Sequence, residues 1–395
     1  MKLPSCFKHV FLLTLGVYGL LSSSFVLPSM LMGLNFPHWQ VGMVMSSFYF
    51  GATLARPLGG YFSEKFGARR TILFSAAAGA LVALSFVLLN FKVLLVSRFM
   101  VGGLYSIIYV TLTAYQGATV PAQCRGRVFS FLGLASISPQ FLVVPLSEFF
   151  IDRGDVKIYM IFSSVILALL ALFVLFMPGE RQNRGDGEEV RWGSWSELLK
   201  RRDTWALLAS VFVLSFTATA STQYVPSLVR SFNLKGTLFT WSFTSVIIAI
   251  RLTFCGKALS LFNRRASLCF LGFAEALSVA LAARACGAGG FAAAAILFGL
   301  SHGVAFPAIS ALLPDVMPRH LLPKGAALFL IFNDLPPILL PLIFGAVPES
   351  VGLAGVLAAV GTLGLLLWPL NYSLLWRRPA LRLQGGGEKH DSRAL

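Results

Sequence analysis

Apolar residues run in stretches of roughly twenty along almost the whole chain, broken by short polar interruptions. The stretches fall at about 10–34, 41–61, 71–90, 93–116, 128–150 and 158–177, and again at about 204–229, 238–259, 266–285, 291–313, 325–347 and 352–376. A helix rises about 1.5 Å per residue, so about 20 residues cross the hydrocarbon core of a bilayer. Each stretch therefore predicts one spanning helix, and the fold expected is an all-α membrane protein with twelve of them. One polar interruption is long: Pro178 to Asp203, with six basic and six acidic residues. It predicts an N-terminal six-helix half over 1–177, a cytoplasmic linker over 178–203, a C-terminal six-helix half over 204–376 and a polar cytoplasmic tail over 377–395. The end of the linker, Trp195-Ser-Glu-Leu-Leu-Lys-Arg-Arg, predicts a short amphipathic helix on the inner membrane surface. The basic, Gly-containing tail is expected to be disordered.

The two groups of six repeat one another. Pro28-Ser29 is followed by Asn35, and Pro226-Ser227 by Asn233 at the same spacing. Arg56 precedes Arg69-Arg70 by the distance at which Arg251 precedes Arg264-Arg265. Gly102-Gly103-Leu104-Tyr105 has its counterpart in Gly299-Leu300-Ser301-His302, 197 residues on. Two copies in the same orientation imply a pseudo-two-fold axis along the membrane normal, with a binding site between them near mid-depth.

Composition narrows the class. Of 395 residues 56% are apolar and 12% charged, against about 25% charged in ordinary soluble domains, which excludes a soluble globular fold. The net charge of +16 does not imply nucleic acid, because the basic residues sit in brief clusters between apolar runs. With a cytoplasmic N-terminus, 23 of the 32 Lys and Arg residues lie on the inside, six lie outside (Lys92, Arg153, Lys157, Arg230, Lys235 and Arg284), and Arg56, Arg98 and Arg251 lie within spans. The positive-inside rule then places both termini in the cytoplasm of a multi-pass protein of the cytoplasmic (inner) membrane. The first apolar run is too long for a signal-peptide core and lacks an A-x-A site, so it is expected to be kept as a span. Five cysteines without C-x-x-C spacing predict neither a metal site nor a disulfide framework. No nucleotide-binding loop is present, and no cofactor is expected.

The loop after the second span reads Gly60-Tyr-Phe-Ser-Glu64-Lys65-Phe-Gly67-Ala-Arg69-Arg70. In the spacing of its glycines, carboxylate and cations it resembles the signature cytoplasmic loop of the major facilitator superfamily. Leu94-x-x-x-Arg98-x-x-x-Gly102 resembles the family's fourth-span motif, and Pro121-x-x-x-Arg125-Gly126 its fourth-to-fifth loop. Asp315-x-x-Pro318 with Lys324-Gly325-x-Ala327 resembles the matching loop of the second half. With Arg56-Pro57 and Asn333-Asp334-Leu335, the pattern is closest to bacterial drug/proton antiporters and arabinose-efflux-type permeases. The resemblance implies that Gly60, Glu64, Lys65, Gly67, Arg69 and Arg70 form a gating loop, with Glu64 approaching the positive N-terminal end of the eleventh span. Two features depart from the antiporters: the fifth-span motif is reduced to Gly133-x-x-x-x-Ser138-Pro139, and the first span has no acidic residue.

Ionisable residues at membrane depth are costly and mark function by default. The coupling candidates are Arg56, Arg98, Glu148 and Asp334. Arg98 and Glu148 lie at comparable depth and are expected to pair, or else Glu148 lies at the interface with Arg153. The resemblance implies that spans two and eleven face each other, so that Arg56 reaches Asp334 across the halves. The position matching Asp334 in the fifth span is near Ser138, which leaves Arg251 either to hold a substrate anion or to snorkel to the headgroups. His302, between small residues, suits a proton relay, a substrate contact or a structural hydrogen bond. Glu275 faces either lipid or a neighbouring helix and receives no role. The family's cavity is lined by spans one, four, seven and ten, which implies as lining residues Tyr18, Tyr105, Tyr109, Gln223, Tyr224, Arg251 and His302, with Gln140 from span five. Their mixture suits an amphipathic organic solute, and helix packing is the plainer account of each.

The leading expectation is a secondary active transporter, not an enzyme, that exports a small organic compound against protons by alternating access. The rival is uptake of a small organic anion on Arg56, Arg98 and Arg251. A membrane-embedded transferase would cluster His, Asp or Cys at one interface, whereas His9, His38, His302, His320 and His390 are scattered. A sensory receptor would need a soluble signalling domain at one end. The expected partners are a small-molecule substrate, protons and the lipid bilayer, with the chain a monomer that binds no nucleic acid.

Overall fold

The computed structural model describes residues 7–120, 125–177, 194–254, 264–318 and 320–376. The described residues form helices and short turns, with no strand among them. The first half contains α1 (Phe7–Ser23), α2 (Leu27–Gly33), α3 (His38–Phe66), α4 (Ala68–Leu84), α5 (Phe91–Thr119), α6 (Arg125–Asp152) and α7 (Val156–Val174). A short α8 (Trp195–Lys200) precedes the second half: α9 (Arg202–Thr219), α10 (Val225–Ser231), α11 (Thr237–Phe254), α12 (Arg264–Arg284), α13 (Ala288–Val316), α14 (Leu322–Ala346) and α15 (Gly352–Asn371). Ten segments are long and apolar enough to cross a membrane, and Thr237–Thr253 is a shorter apolar helix. With the longer, more polar α3, these make up the twelve spans. The chain is an all-α membrane protein. Phe74, Leu81 and Phe270 are each more than two-thirds exposed, an apolar surface that lipid covers and water would not tolerate.

Two of the twelve are not single helices. The first span breaks at Ser24–Val26 and resumes as α2 with Pro28 in its first turn. The seventh passes through a π-turn at Ala220–Tyr224 and resumes as α10 with Pro226 in its first turn. Proline lacks an amide hydrogen and its ring opposes the preceding turn, but the first turn of a helix tolerates both. Both resumed helices close on an asparagine in the left-handed region, Asn35 at φ 61° and Asn233 at φ 56°. The sequence repeat is thus a repeat of backbone conformation. Apolar cores follow the same division. One cluster draws its members from Val10 to Met177, and two others draw theirs from beyond Leu198, with Ile137 the single buried contribution from the first half.

Helix α8 forms where the amphipathic segment predicts one. Ser194 caps it through the Glu197 amide at 3.1 Å, Leu198 is buried beneath it, and Glu197 meets His320 at 2.9 Å. The rest of the linker, the tail and most of the Pro121–Gly126 motif lie outside the described residues.

Candidate functional site

The face at which α1, α6 and α9 begin is the terminal face; the turns at Asn35, Gly154 and Asn233 lie on the far face. Two helix pairs make most of the contact between the halves, α3 with α14 and α6 with α11, and the short α2 also touches α10.

In the first seam the carbonyl of Pro341 lies where any side chain at position 42 would project, so Gly42 permits the approach. Ser46 donates to the carbonyl of Ile338 at 2.6 Å, and His38 stacks on Phe344 at 5.0 Å. Deeper, Arg56 is hydrogen-bonded and ion-paired to Asp334, with both side chains largely buried. Asn333 also donates to Asp334, at 3.3 Å. Pro337 supplies no amide to the carbonyl of Asn333, one turn earlier. Ser215 of α9 donates to that carbonyl instead, at 2.6 Å. Irregular backbone at membrane depth persists only when such partners are found.

The second seam uses the same device with different chemistry. Pro145 withholds an amide from the carbonyl of Phe141, and Trp241 of α11 donates its indole N–H there at 2.8 Å, its ring stacked on Phe141. At the far end Glu148 accepts from both the amide and the hydroxyl of Thr237, at the start of α11, where the helix dipole favours an anion. Arg230 reaches Asp152 at 2.5 Å and Glu148 at 3.8 Å. Toward the terminal face Arg251 donates to the carbonyl of Gly133. A Cβ at Gly133 would stand 3.3 Å from the guanidinium carbon of Arg251 and closer still to one of its nitrogens, so the small residue is what admits the arginine.

Both seams are therefore in contact near the far face, while the charged residues of the Gly60–Arg70 loop make no hydrogen bond or ion pair to the second half among the described residues. Glu64 and Lys65 are exposed in the last turn of α3, and Glu64 makes no hydrogen bond or ion pair among the described residues. Gly67 turns the chain at φ 79° and Arg69 donates to the carbonyl of Leu175, in its own half. Arg70 is exposed and Gly60 half-buried on α3.

Between the seams runs a row of rings. Tyr18 meets Tyr109 edge-on at 6.3 Å, Tyr109 stacks on Tyr105 at 6.0 Å, and Tyr105 lies 5.3 Å from Phe48. The three tyrosines are half-buried. Gln223 donates to the Tyr49 hydroxyl at 3.1 Å across the halves. Gln140 is buried with its carbonyl oxygen unpartnered. Tyr224 is buried against Phe344 and so belongs to the packing rather than to a cavity wall.

Two expectations change. Arg98 and Glu148 do not pair: Arg98 donates to Ser24 at 2.8 Å and lies over the Phe48 ring, facing the break in the first span. Nor does Glu148 pair with Arg153, which lies over Phe149 at 4.0 Å; Glu148 points across the seam instead. His302 meets Glu275 at 3.1 Å, between the rings of Phe298 and Phe306. Glu275 is fully buried, accepts from Thr217 at 2.9 Å, and faces protein. Sequence reasoning missed Tyr49, Thr237 and the carbonyl of Gly133, since none carries a charge that marks it. Arg230 and Asp152 were visible only as loop charges.

The family model for the Major Facilitator Superfamily matches residues 10–274. Among curated proteins, the major myo-inositol transporter IolT of Bacillus subtilis is 32% identical over 145 residues, 36% of this chain and 31% of that protein. The voltage-gated purine nucleotide uniporter SLC17A9 of Mus musculus is 22% identical over 258 residues, 60% of this chain and 58% of that protein. The matches thus span between about a third and three-fifths of these relatives' lengths. Among solved structures, a mutant of the nucleoside transporter NupG superposes with a TM-score of 0.75 at 16% identity, covering 93% of this chain and 99% of that one, a likeness of fold.

Proposed function

This chain belongs to the major facilitator superfamily, and on that premise we propose that it is a secondary transporter, not an enzyme, moving a small organic solute by alternating access. The moving units are the halves 1–177 and 204–376, with 178–203 as the link. The terminal face is cytoplasmic, the far face lies outside the cytoplasmic membrane, and the state described is closed outward.

The observation that carries this reading is the Arg56–Asp334 pair, which ties the halves at membrane depth. A buried pair stripped of one charge is strongly destabilised. Protonation of Asp334 removes its charge and so frees α14 from α3. Proton uptake and opening become one event, and no cofactor is needed. On this reading Arg56 and Asp334 couple, while Glu148 holds the outer end shut and the Gly60–Arg70 loop engages when the inner end closes.

Proton-coupled efflux is the direction implied by the antiporter-like motifs. Uptake of an organic anion is the second reading, favoured by Arg251, which has no carboxylate partner among the described residues, and by a relative named for purine nucleotide uniport. An inward proton gradient imposed on proteoliposomes separates them. Efflux predicts solute leaving as protons enter; uptake predicts accumulation. Asp334→Asn should abolish the response to the gradient in either case, and a response that persists would sink the coupling role.

A further inference from the structure

The charges at membrane depth are nearly all accounted for. Arg56 is neutralised by Asp334. Glu275 is held by His302 and Thr217, and Glu148 by Thr237 and Arg230. Arg98 is 2% exposed, sealed inside the first half behind Phe48 and Ser24. Arg251 differs. It is only partly buried, its one acceptor among the described residues is the neutral carbonyl of Gly133, and its Nε is buried without a partner there. A guanidinium in this setting lacks the compensation that buried charges require. Its planar fork is matched by a carboxylate, which accepts two parallel hydrogen bonds.

The same space has an aromatic wall. Tyr18 lies on α1, which packs against α6, the helix whose Gly133 carbonyl holds Arg251, and its ring continues through Tyr109 to Tyr105. The wall comes from one half and the cation from the other, so a ligand touching both draws the halves together. Rings pack on such a wall edge-on or offset, with tyrosine hydroxyls left to bond polar substituents.

We propose that the transported solute is a small aromatic monocarboxylate, its ring against Tyr18 and Tyr109 and its carboxylate on Arg251. This rests on the carrier reading above and gives its site a substrate class. Arg98 also lacks an anion but is sealed away, so among the described residues one uncompensated and partly exposed positive charge at membrane depth sets the valence. A nucleotide with several negative charges finds no second such cation among the described residues, and a neutral polyol leaves Arg251 as it was.

The test is binding of phenylacetate, its neutral amide phenylacetamide, myo-inositol and AMP to the full chain in lipid nanodiscs, followed by titration calorimetry. Phenylacetate should bind, and the amide at least about tenfold more weakly, for loss of the charge-assisted bonds. Inositol and AMP should bind more weakly than phenylacetate. Arg251→Gln should erase the preference for acid over amide and Arg251→Lys keep part of it, while Tyr109→Leu weakens acid and amide alike. Gly133→Ala, which displaces Arg251 without removing it, should lower affinity for the acid alone, and serves if Arg251→Gln does not fold. Equal binding of acid and amide, stronger binding of AMP or inositol, no binding of phenylacetate, or a preference that survives Arg251→Gln would each overturn the proposal. Binding requires no movement of the halves. A carrier that binds the acid but gives no flux therefore refutes the transport reading and leaves the site standing.

Discussion

The two seams between the halves start from one repeated plan and end with different chemistry. Arg56 on α3 and Arg251 on α11 occupy matching places in the repeat, and each reaches across to the opposite half. Arg56 finds a carboxylate; Arg251 finds a backbone carbonyl. At the far face the difference is reversed, since α3 and α14 meet there through backbone and small residues around Gly42, while Glu148 of α6 is held by Thr237 of α11 and Arg230 of α10. Duplication therefore supplied the position of each cation, and divergence of the facing helix decided what the cation does. On the proposed reading, a seam closed by a carboxylate responds to protons, and one closed by a carbonyl leaves its cation to a ligand.

The comparison breaks most sharply at its charged pair. Asp334→Asn or Arg56→Ala leaves one buried charge alone and should cost about 3–5 kcal/mol, read as a lower thermal midpoint together with loss of proton-driven flux. The double variant Arg56→Gln/Asp334→Asn should recover much of the stability but not the coupling. A smaller effect is expected at the outer end of the other seam. Glu148→Ala removes charge-assisted bonds worth about 1.5–3 kcal/mol, and spin labels on α6 and α11 near the far face should move apart, with the α3–α14 distance less affected. Smaller again is Gly133→Ala. The far end of Arg251 yields to the new methyl, so stability should fall by about 1 kcal/mol, the low end of overpacking costs, and the change should appear in ligand affinity.

The smallest effect belongs to a tie that crosses neither seam. The hydrogen bond from His320 is the main cause holding Glu197 below the ordinary carboxylate range. The folded chain then binds fewer protons than the unfolded chain near that range. The contribution is full above it and is lost as pH falls through the lowered value. His320→Ala should lower the midpoint by about one degree at neutral pH, as exposed pairs do, with the difference closing in acid. A larger shift, or one that also changed flux, would mean that α8 takes part in opening.

Much of this was legible in the chain. Span count followed from apolar run lengths, because no other structure hides so many apolar residues of this spacing in a bilayer. The matched Pro28/Pro226 and Asn35/Asn233 were legible as a repeat but not as breaks, since the runs themselves read as single spans through Ser24–Val26 and Ala220–Tyr224. Arg56 and Asp334 were legible as partners because each is a charge where charges are rare and the family resemblance implies that their spans face each other. Glu148 was not, since its partner is an amide that every residue possesses.

The sequence by itself determined the membrane, the twelve helices, the duplication and the family, because these depend on run length, charge and spacing, which are local and additive. Only the tertiary structure decided which carbonyls are free to accept, where a glycine admits a guanidinium, and that Arg98 turns inward while Arg251 crosses to the carbonyl of Gly133. Those outcomes depend on which face of one helix meets which face of another, and a one-dimensional pattern fixes the faces without fixing their partners.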